Sequence, residues 1–463
     1  MSKGPTDNPI GMSNPFKILD EASLRWHHIK MMLVAAVGTF TDGYDLTMLG
    51  LVLTPLLASF GISSIKLPEG VFWATWLNAL PIFGFLIGAP VFGYLANKGR
   101  KRFYGVDVAL MSIGAGLQFI AQSLVELAIF RFMMGIGLGA DYVLSPMMIA
   151  EHSNARDRGR LLAIGFGGFW VFGALVASLL ALTFKVFLNS DLYWRVMLAS
   201  GAIPPLIVIY LRRRFPETPR YLARIAGDVK EFSKVVRQVL KADVGTDITL
   251  RTDGRGYGEL LRSYIPYMLL GASLWYLFDI PAYGQGFFIT YIANNIGYNN
   301  PALMNIISIG FTYLGALIFW LTQPRLGSKV LQAVGFGGMA ASFFVFAYLM
   351  HASLIGVISG ILLFSLAKFF GQVGPGSVVA VGAHGVELSP TKVRGIGQAI
   401  NVLGGRLGVL TTTFVLPALL AANSPYAYVF LGAVSLIGVA LTVLFVPETA
   451  NKGLEEASME FIH

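Results

Sequence analysis

The chain has 463 residues, 55% of them hydrophobic and only 13% charged, about half the charged share usual in soluble domains, which excludes a water-soluble globule. Cysteine is absent, so disulfides, thiolate catalysis and cysteine metal sites are ruled out. The net charge of +9 sits in short stretches between apolar runs, a distribution that reads as membrane topology rather than as a nucleic-acid surface.

Residues 1–30 are polar and show no apolar core ahead of a small-residue cleavage site, so a cytoplasmic tail is expected and no signal peptide. Runs of about 20 apolar residues, enough to cross a bilayer as a helix, follow at 31–60, 70–96, 103–123, 125–150, 160–184 and 194–211. The polar stretch 212–263 is too short for a separate catalytic domain and is expected to form short surface helices. Further runs lie at 264–295, 302–322, 329–350, 354–381, 393–421 and 425–446, before a polar tail at 447–463. The expected fold is an all-α membrane protein of twelve transmembrane helices. They would form two pseudo-symmetric six-helix bundles, 31–211 and 264–446.

The loops fix a direction. Those after odd-numbered spans hold few basic residues, chiefly Lys66, Lys185 and Arg195, whereas the loop after the second span holds Lys98, Arg100, Lys101 and Arg102. The central stretch opens with Arg212, Arg213 and Arg214. Basic loops stay inside, so both tails and the central stretch are expected in the cytoplasm of a multi-pass cell-membrane protein.

Glu151-x6-Arg158-Gly159 recurs as Glu387-x6-Arg394-Gly395, 236 residues further on, and the same offset carries Gly135 onto Gly371. Two related halves, each crossing the membrane several times, are the mark of a secondary transporter. Each copy sits where an apolar run ends and a short basic loop begins. Glu151, Arg158, Glu387 and Arg394 are therefore expected to latch the cytoplasmic ends. Near the midplane the halves diverge: Asp141 falls on Ser377, and Arg406 on Trp170.

A charge near the bilayer centre costs several kcal/mol and is a functional candidate by default. At about 1.5 Å per residue, Asp42 and Asp45 lie roughly 17–20 Å into the first span, Asp141 about 15 Å from the inner end of the fourth, and Asp279 about 20 Å into the seventh. Arg406 lies about 18 Å into the eleventh span, with Lys368 similarly deep in the tenth. Trp275, Asp279 and Tyr283 share one helix face at i, i+4, i+8 spacing.

The loop Gly93-Tyr-Leu-Ala-Asn97-Lys98-Gly99-Arg100-Lys101 resembles the signature loop of the major facilitator superfamily, with Asn97 in place of its acid. Pro324-Arg325-Leu326-Gly327-Ser328-Lys329 is a degenerate echo in the second half. Arg131-x3-Gly135-x-Gly137-x-Gly139 also fits that superfamily, and Pro216-Glu217-Thr218-Pro219-Arg220 and Pro447-Glu448-Thr449 are similar to its sugar-porter-type members. Trp275-x3-Asp279-x3-Tyr283-Gly284-Gln285-Gly286, Gly139-Ala140-Asp141-Tyr142, Thr41-Asp42-x2-Asp45 and Gly405-Arg406-Leu407-Gly408 resemble the phosphate:proton symporters, as does Asp107 behind the signature loop. Three positions depart from that pattern: Ile164 for a phosphate-contacting Gln, Val143 for Pro, and Arg406 for Lys. Lys368 has no counterpart in it.

The resemblance implies alternating-access symport of protons with a small anion, either inorganic phosphate or an organic acid. Asp42 or Asp45 would couple the proton. Asp141 and Asp279 would accept hydrogen bonds from the solute, and Arg406 would anchor its charge. Tyr142, Trp275, Tyr283, Gln372 and Lys368 would complete the pocket, while Asn97, Lys98, Gly99, Arg100 and Asp107 would join the latch. The partners expected are the solute, protons and the bilayer, with no nucleic acid, metal or cofactor, and the functional unit is a monomer. Facilitated or proton-driven transport of a neutral sugar, or proton-driven efflux, would suit the same fold. An intramembrane enzyme would need catalytic groups; His27, His28, His152, His351, His384 and His463 lie at span ends or loops, and no hydrolase, zinc or phosphate-loop motif is present.

Overall fold

A computed structural model describes residues 15–63, 67–240, 254–287, 289–422 and 424–460. Lys66, His463 and parts of the N-terminal tail and central stretch, all assigned above to loops or tails, lie outside the described residues. The main helices are α1 (Trp26–Ser59), α2 (Pro68–Leu95), α3 (Val106–Leu117), α4 (Leu124–His152), α5 (Phe169–Phe187) and α6 (Ile203–Arg214). They continue with α7 (Tyr257–Phe287), α8 (Pro301–Leu326), α9 (Ser328–His351), α10 (Val357–Val373), α11 (Arg394–Ala422) and α12 (Ser424–Phe445). Among the described residues, nine helical stretches are long and apolar enough to cross a membrane. The protein is thus an all-α, multi-pass membrane fold. Leu182, Val186 and Phe187 stay more than two-thirds exposed, as expected of a face whose solvent is hydrocarbon.

The repeat is visible in the packing. Helices α1 and α5 pair as α7 and α11 do, α2 and α4 as α8 and α10, and α3 and α6 as α9 and α12. Between the halves, α11 lies across α2 and α4. Small residues allow the close pairings, as is usual where lipid supplies no hydrophobic drive. A Cβ on Gly135 of α4 would sit 2.2 Å from the Pro81 carbonyl oxygen of α2.

One expectation needs correction. The tenth span does not run unbroken from 354 to 381: α10 stops at Val373, and the chain turns through Gly374 into the short helices Pro375–Val378 and Ala383–Glu387. Pro375 has no N–H with which to continue the helix, and Gly382 takes φ +72°. The fifth span is wound at Ala163–Gly168 as a π-helix, a form found mostly as single turns at functional places. The seventh expected run is helical over Tyr257–Phe287 and over Ile289–Asn295.

The central stretch does contain a surface helix, Val229–Leu240. Its apolar face (Phe232, Val235, Val236, Val239) packs on Phe16 and Leu19, so the described end of the N-terminal tail is docked. Such a one-sided stripe suits a helix lying on the protein rather than spanning lipid.

Gly135→Val is expected to cost about 1–3 kcal/mol through overpacking, read as a lower melting temperature in detergent. Gly50→Ala, where an added Cβ meets nothing within 4 Å, should leave that temperature unchanged.

Candidate functional site

A cavity of about 360 Å³ lies between the halves, within the size range of small-molecule sites. The first half contributes Thr39 and Thr47 from α1, Tyr142 from α4, and Phe166 and Trp170 from the π-wound segment and α5. From the second come Trp275, Asp279 and Tyr283 of α7, Asn305 of α8, Lys368 and Gln372 of α10, and Arg406 of α11. Tyr142, Trp275, Asp279, Tyr283, Gln372, Lys368 and Arg406 thus reach one space from four helices that are distant in sequence. Ile164 is not in the wall, which is formed there by Phe166, Gly167 and Trp170. The departure at 164 therefore does not change the lining directly.

Arg406 joins the halves. One guanidinium nitrogen donates to the Tyr283 hydroxyl at 2.9 Å and another to Asp42 Oδ2 at 3.4 Å. The guanidinium also lies over the Phe85 and Tyr142 rings, 4.0 and 4.8 Å from their centroids, which adds cation–π attraction. Asp42 Oδ2 accepts further bonds from the Tyr142 hydroxyl at 2.7 Å and Trp170 Nε1 at 3.0 Å. Asp279 contrasts with it: Oδ2 is buried and has no hydrogen-bond partner among the described residues. Lys368 Nζ lies 3.3 Å from Asn305 Oδ1.

Two of the midplane acids stand elsewhere. Asp45 forms a two-point pair with Arg131, at 3.0 and 2.8 Å, and Arg131 also donates to the Leu77 carbonyl at 2.7 Å. Asp141, expected at the solute, does not line the cavity. It shares Arg212 with Asp107, each at 2.6 Å, and accepts from Ser145 at 2.7 Å, all fully buried. Asp107, expected in the loop latch, belongs to this cluster too; Oδ1 accepts the N–H groups of Gly105 and Val108. Arg131 and Arg212 are the residues that sequence reasoning missed. The first was visible only as part of a glycine motif and the second as a topological charge.

At the far end of the helices the two motif copies exchange partners. Glu151 accepts from Arg394 of the other half at 2.8 Å, from Arg100 at 3.1 Å and from the Thr218 hydroxyl. Glu387 accepts from Arg158 at 2.7 Å, and Arg158 also donates to the carbonyls of Lys452 and Thr449. A Cβ on Gly395 would lie 2.2 Å from the Gly93 carbonyl oxygen, so α11 and α2 touch backbone to backbone beside these pairs. Gly99, at φ +122°, turns the chain into the short helix that carries Arg100. Asn97 Oδ1 is 3.5 Å from Arg100, and Lys98 is exposed above the Tyr94 ring.

The loops are capped by related acids. Glu217 accepts from the Lys101 N–H, and Glu448 from those of Ser328 and Lys329. Burial lifts the Glu217 carboxyl above the usual range, while the backbone donors of Thr218 and Lys101 oppose the shift. Arg220 binds Glu455, Asp20 and the Glu151 carbonyl, and Arg224 binds Glu460, tying the C-terminal tail to the loops of the first half.

A family described as "Sugar (and other) transporter" matches residues 31–461, nearly the whole chain. The protein is a major facilitator superfamily transporter. The chain is 30% identical over 505 residues to the probable inorganic phosphate transporter 1-6 of Arabidopsis thaliana, covering 96% of each. It is 31% identical to the inorganic phosphate transporter 1-6 of Oryza sativa subsp. japonica, with 95% of this chain and 94% of that one covered. The proton:xylose symporter XylE bound to 6-bromo-6-deoxy-D-glucose shares the fold at a TM-score of 0.82 and 22% identity, over 94% of this chain and 99% of that one. Membership in a family of transporters agrees with the expectation that the chain is not an enzyme.

Removing one partner of a buried pair leaves the other charge stranded, at about 3–5 kcal/mol. Glu151→Gln takes the carboxylate from Arg100 and leaves Arg394 only Glu460 at 4.0 Å, while Glu387→Gln affects Arg158 alone, so the first transporter variant should melt at the lower temperature. Arg158→Ala should loosen the loop end. A single cysteine introduced by Ser389→Cys, buried in the closed network of a cysteine-free chain, should then label at least about tenfold faster. That factor corresponds to about 1.4 kcal/mol of bias. Unchanged labelling would mean that the pair holds nothing shut.

Proposed function

We propose that this transporter is a proton-coupled symporter of a small anion, inorganic phosphate or an organic acid, working by alternating access. In this reading twelve membrane crossings form the halves 31–211 and 264–446. The stretch 212–263 and both tails lie in the cytoplasm of a cell-membrane protein, and one chain is the functional unit.

The observation that carries the reading is the Asp42–Arg406 pair, which links the two halves just behind the cavity wall. Arg406 keeps its charge under all physiological conditions, whereas Asp42 can be neutralised. While Asp42 is ionised it occupies the guanidinium and weakens the site for an external anion. A proton on Asp42 removes that competitor, and Arg406 can then bind the anion as a planar fork of donors. Proton and anion thus favour each other's binding, the linkage that symport requires. Asp45 is the alternative proton carrier; its two-point pair with Arg131 stands off the cavity and would act through the packing of α1 on α4. Asp279, with Oδ2 unpartnered, accepts a hydrogen bond from a protonated solute. The similar plant proteins are named phosphate transporters, which supports an anion.

The exchanged pairs Glu151–Arg394 and Glu387–Arg158 hold the cytoplasmic ends together in this reading, with Asn97, Lys98, Gly99 and Arg100 shaping the same loop. Parting them would open the cavity inward while the halves rock about the midplane site. Asp141 and Asp107 keep the first half rigid through Arg212. A second reading, transport of a neutral sugar, is supported by the aromatic lining, which would suit a sugar ring.

Uptake into proteoliposomes with and without an imposed pH gradient tests the proposal. Asp42→Asn should remove the response to the gradient while leaving anion exchange intact. Arg406→Ala should raise the half-saturation concentration at least about tenfold, given about 1.5–3 kcal/mol for a hydrogen bond to a charged group. Gradient-independent accumulation would refute the coupling, and uptake of a neutral sugar unaffected by Arg406→Ala would refute the anion.

A further inference from the structure

Arg406 is already engaged: Asp42, the Tyr283 hydroxyl and two aromatic faces surround it. The cavity's other cation is not. Among the described residues no carboxylate lies within ion-pair distance of Lys368; its amine meets only the neutral Asn305 amide oxygen, at 3.3 Å, and the Phe364 ring, 5.2 Å to the centroid. A cation kept in an apolar wall without a counter-charge is costly, and it is retained where something else supplies that charge.

The two cations also stand at different levels. Gln323 of α8 lies against Gly159 at the loop end. The helix rise sets Asn305 roughly 27 Å beyond Gln323, and Arg406 roughly 18 Å beyond Arg394. The Lys368 amine, held at Asn305, therefore faces the part of the cavity farther from the latch. Around it the wall turns apolar, with Phe278, Ile309, Met339 and Ala367. Asn305, Thr312 and Gln372 line the cavity with Lys368 and can add neutral hydrogen bonds to a carboxylate, while the ammonium supplies the one full positive charge at this level.

We infer that Lys368 is the primary anchor for the substrate's charge, and that the substrate is an organic monocarboxylate with a flat apolar body, of the benzoate kind. Its carboxylate takes the Lys368 ammonium, displacing or sharing it with Asn305. Its ring lies against Phe278 and Met339 and reaches towards Trp170 and Trp275, which line the same cavity. This inference rests on the anion reading above and narrows it. Lys368 takes the substrate's charge first, and Arg406, once Asp42 is protonated, receives it in turn, so the coupling described above still runs through Arg406.

The test uses the full chain in detergent and in proteoliposomes, with benzoate and inorganic phosphate as probes. Tryptophan fluorescence reports binding, and counterflow reports transport. Benzoate should bind and exchange, with phosphate a poor competitor. Lys368→Gln should raise the half-saturation concentration for benzoate at least about tenfold, and Lys368→Arg should restore most of it. Asn305→Asp leaves the amine in place but gives it a permanent counter-ion, and should weaken benzoate similarly. Benzoate binding indifferent to both Lys368→Gln and Asn305→Asp overturns the inference, as does phosphate displacing benzoate at lower concentration than benzoate itself. The two proposals fail separately. Phosphate accumulating on a pH gradient regardless of Lys368→Gln would uphold symport and sink this assignment. Lys368-dependent benzoate exchange without any response to the gradient would do the reverse.

Discussion

Ionised side chains inside a low-dielectric slab must find their counter-charges within a few ångströms, and this chain meets that constraint with arginine–carboxylate pairs placed between helices. Arg131 ties α4 to α1 through Asp45, Arg212 ties α6 to α3 and α4 through Asp107 and Asp141, and Arg406 ties α11 to α1 through Asp42. Breaking any one of them would leave a buried charge, which is far more expensive than the pair is favourable. The pairs therefore specify which helices are neighbours, a role that burial of apolar surface cannot fill in lipid. Glycines such as Gly135 then let the specified neighbours close to backbone contact.

Those pairs also divide the molecule by function. Asp107, Asp141 and Arg212 are sealed from the cavity, as are Asp45 and Arg131, and all belong to the first half. The cavity side holds the groups with something left to do: Arg406 shared between Asp42 and Tyr283 and, among the described residues, Asp279 with an unpartnered oxygen and Lys368 without a carboxylate. A rigid first half facing a more loosely satisfied second half suits a transporter in which one bundle serves as template and the other as reader of the solute.

Much of this was legible from residue order because it depends on composition or on local period. The apolar runs, the basic loops and the Glu-x6-Arg-Gly repeat are properties of short windows, and the structure brings both motif copies to one place. What sequence could not supply was partner choice. Nothing near Asp141 signals that Arg212, 71 residues on, will take it rather than the solute. Nor does Glu151 reveal that its arginine lies in the other half. The break after Val373 was misread for a related reason: Gly374-Pro375 inside an apolar run is tolerated in some membrane helices, and only tertiary packing decides whether the run continues. The swap of partners between the copies is the three-dimensional meaning of a repeat that looks, along the chain, like mere duplication.

The swap has an energetic consequence for how such a gate would open. If the halves part, Glu151 keeps Arg100 of its own half, and Arg394 has Glu460 of its own half 4.0 Å away. Neither is left bare. Arg158 and Glu387 have no such fallback among the ion pairs of the described residues, since Arg158 otherwise holds only the Thr449 and Lys452 carbonyls of the opposite half. In the proposed gate the threshold would therefore sit almost wholly in one of two symmetry-related pairs. On the proposed gating, a duplicated motif would serve as a hinge pin on one side and a guide rail on the other.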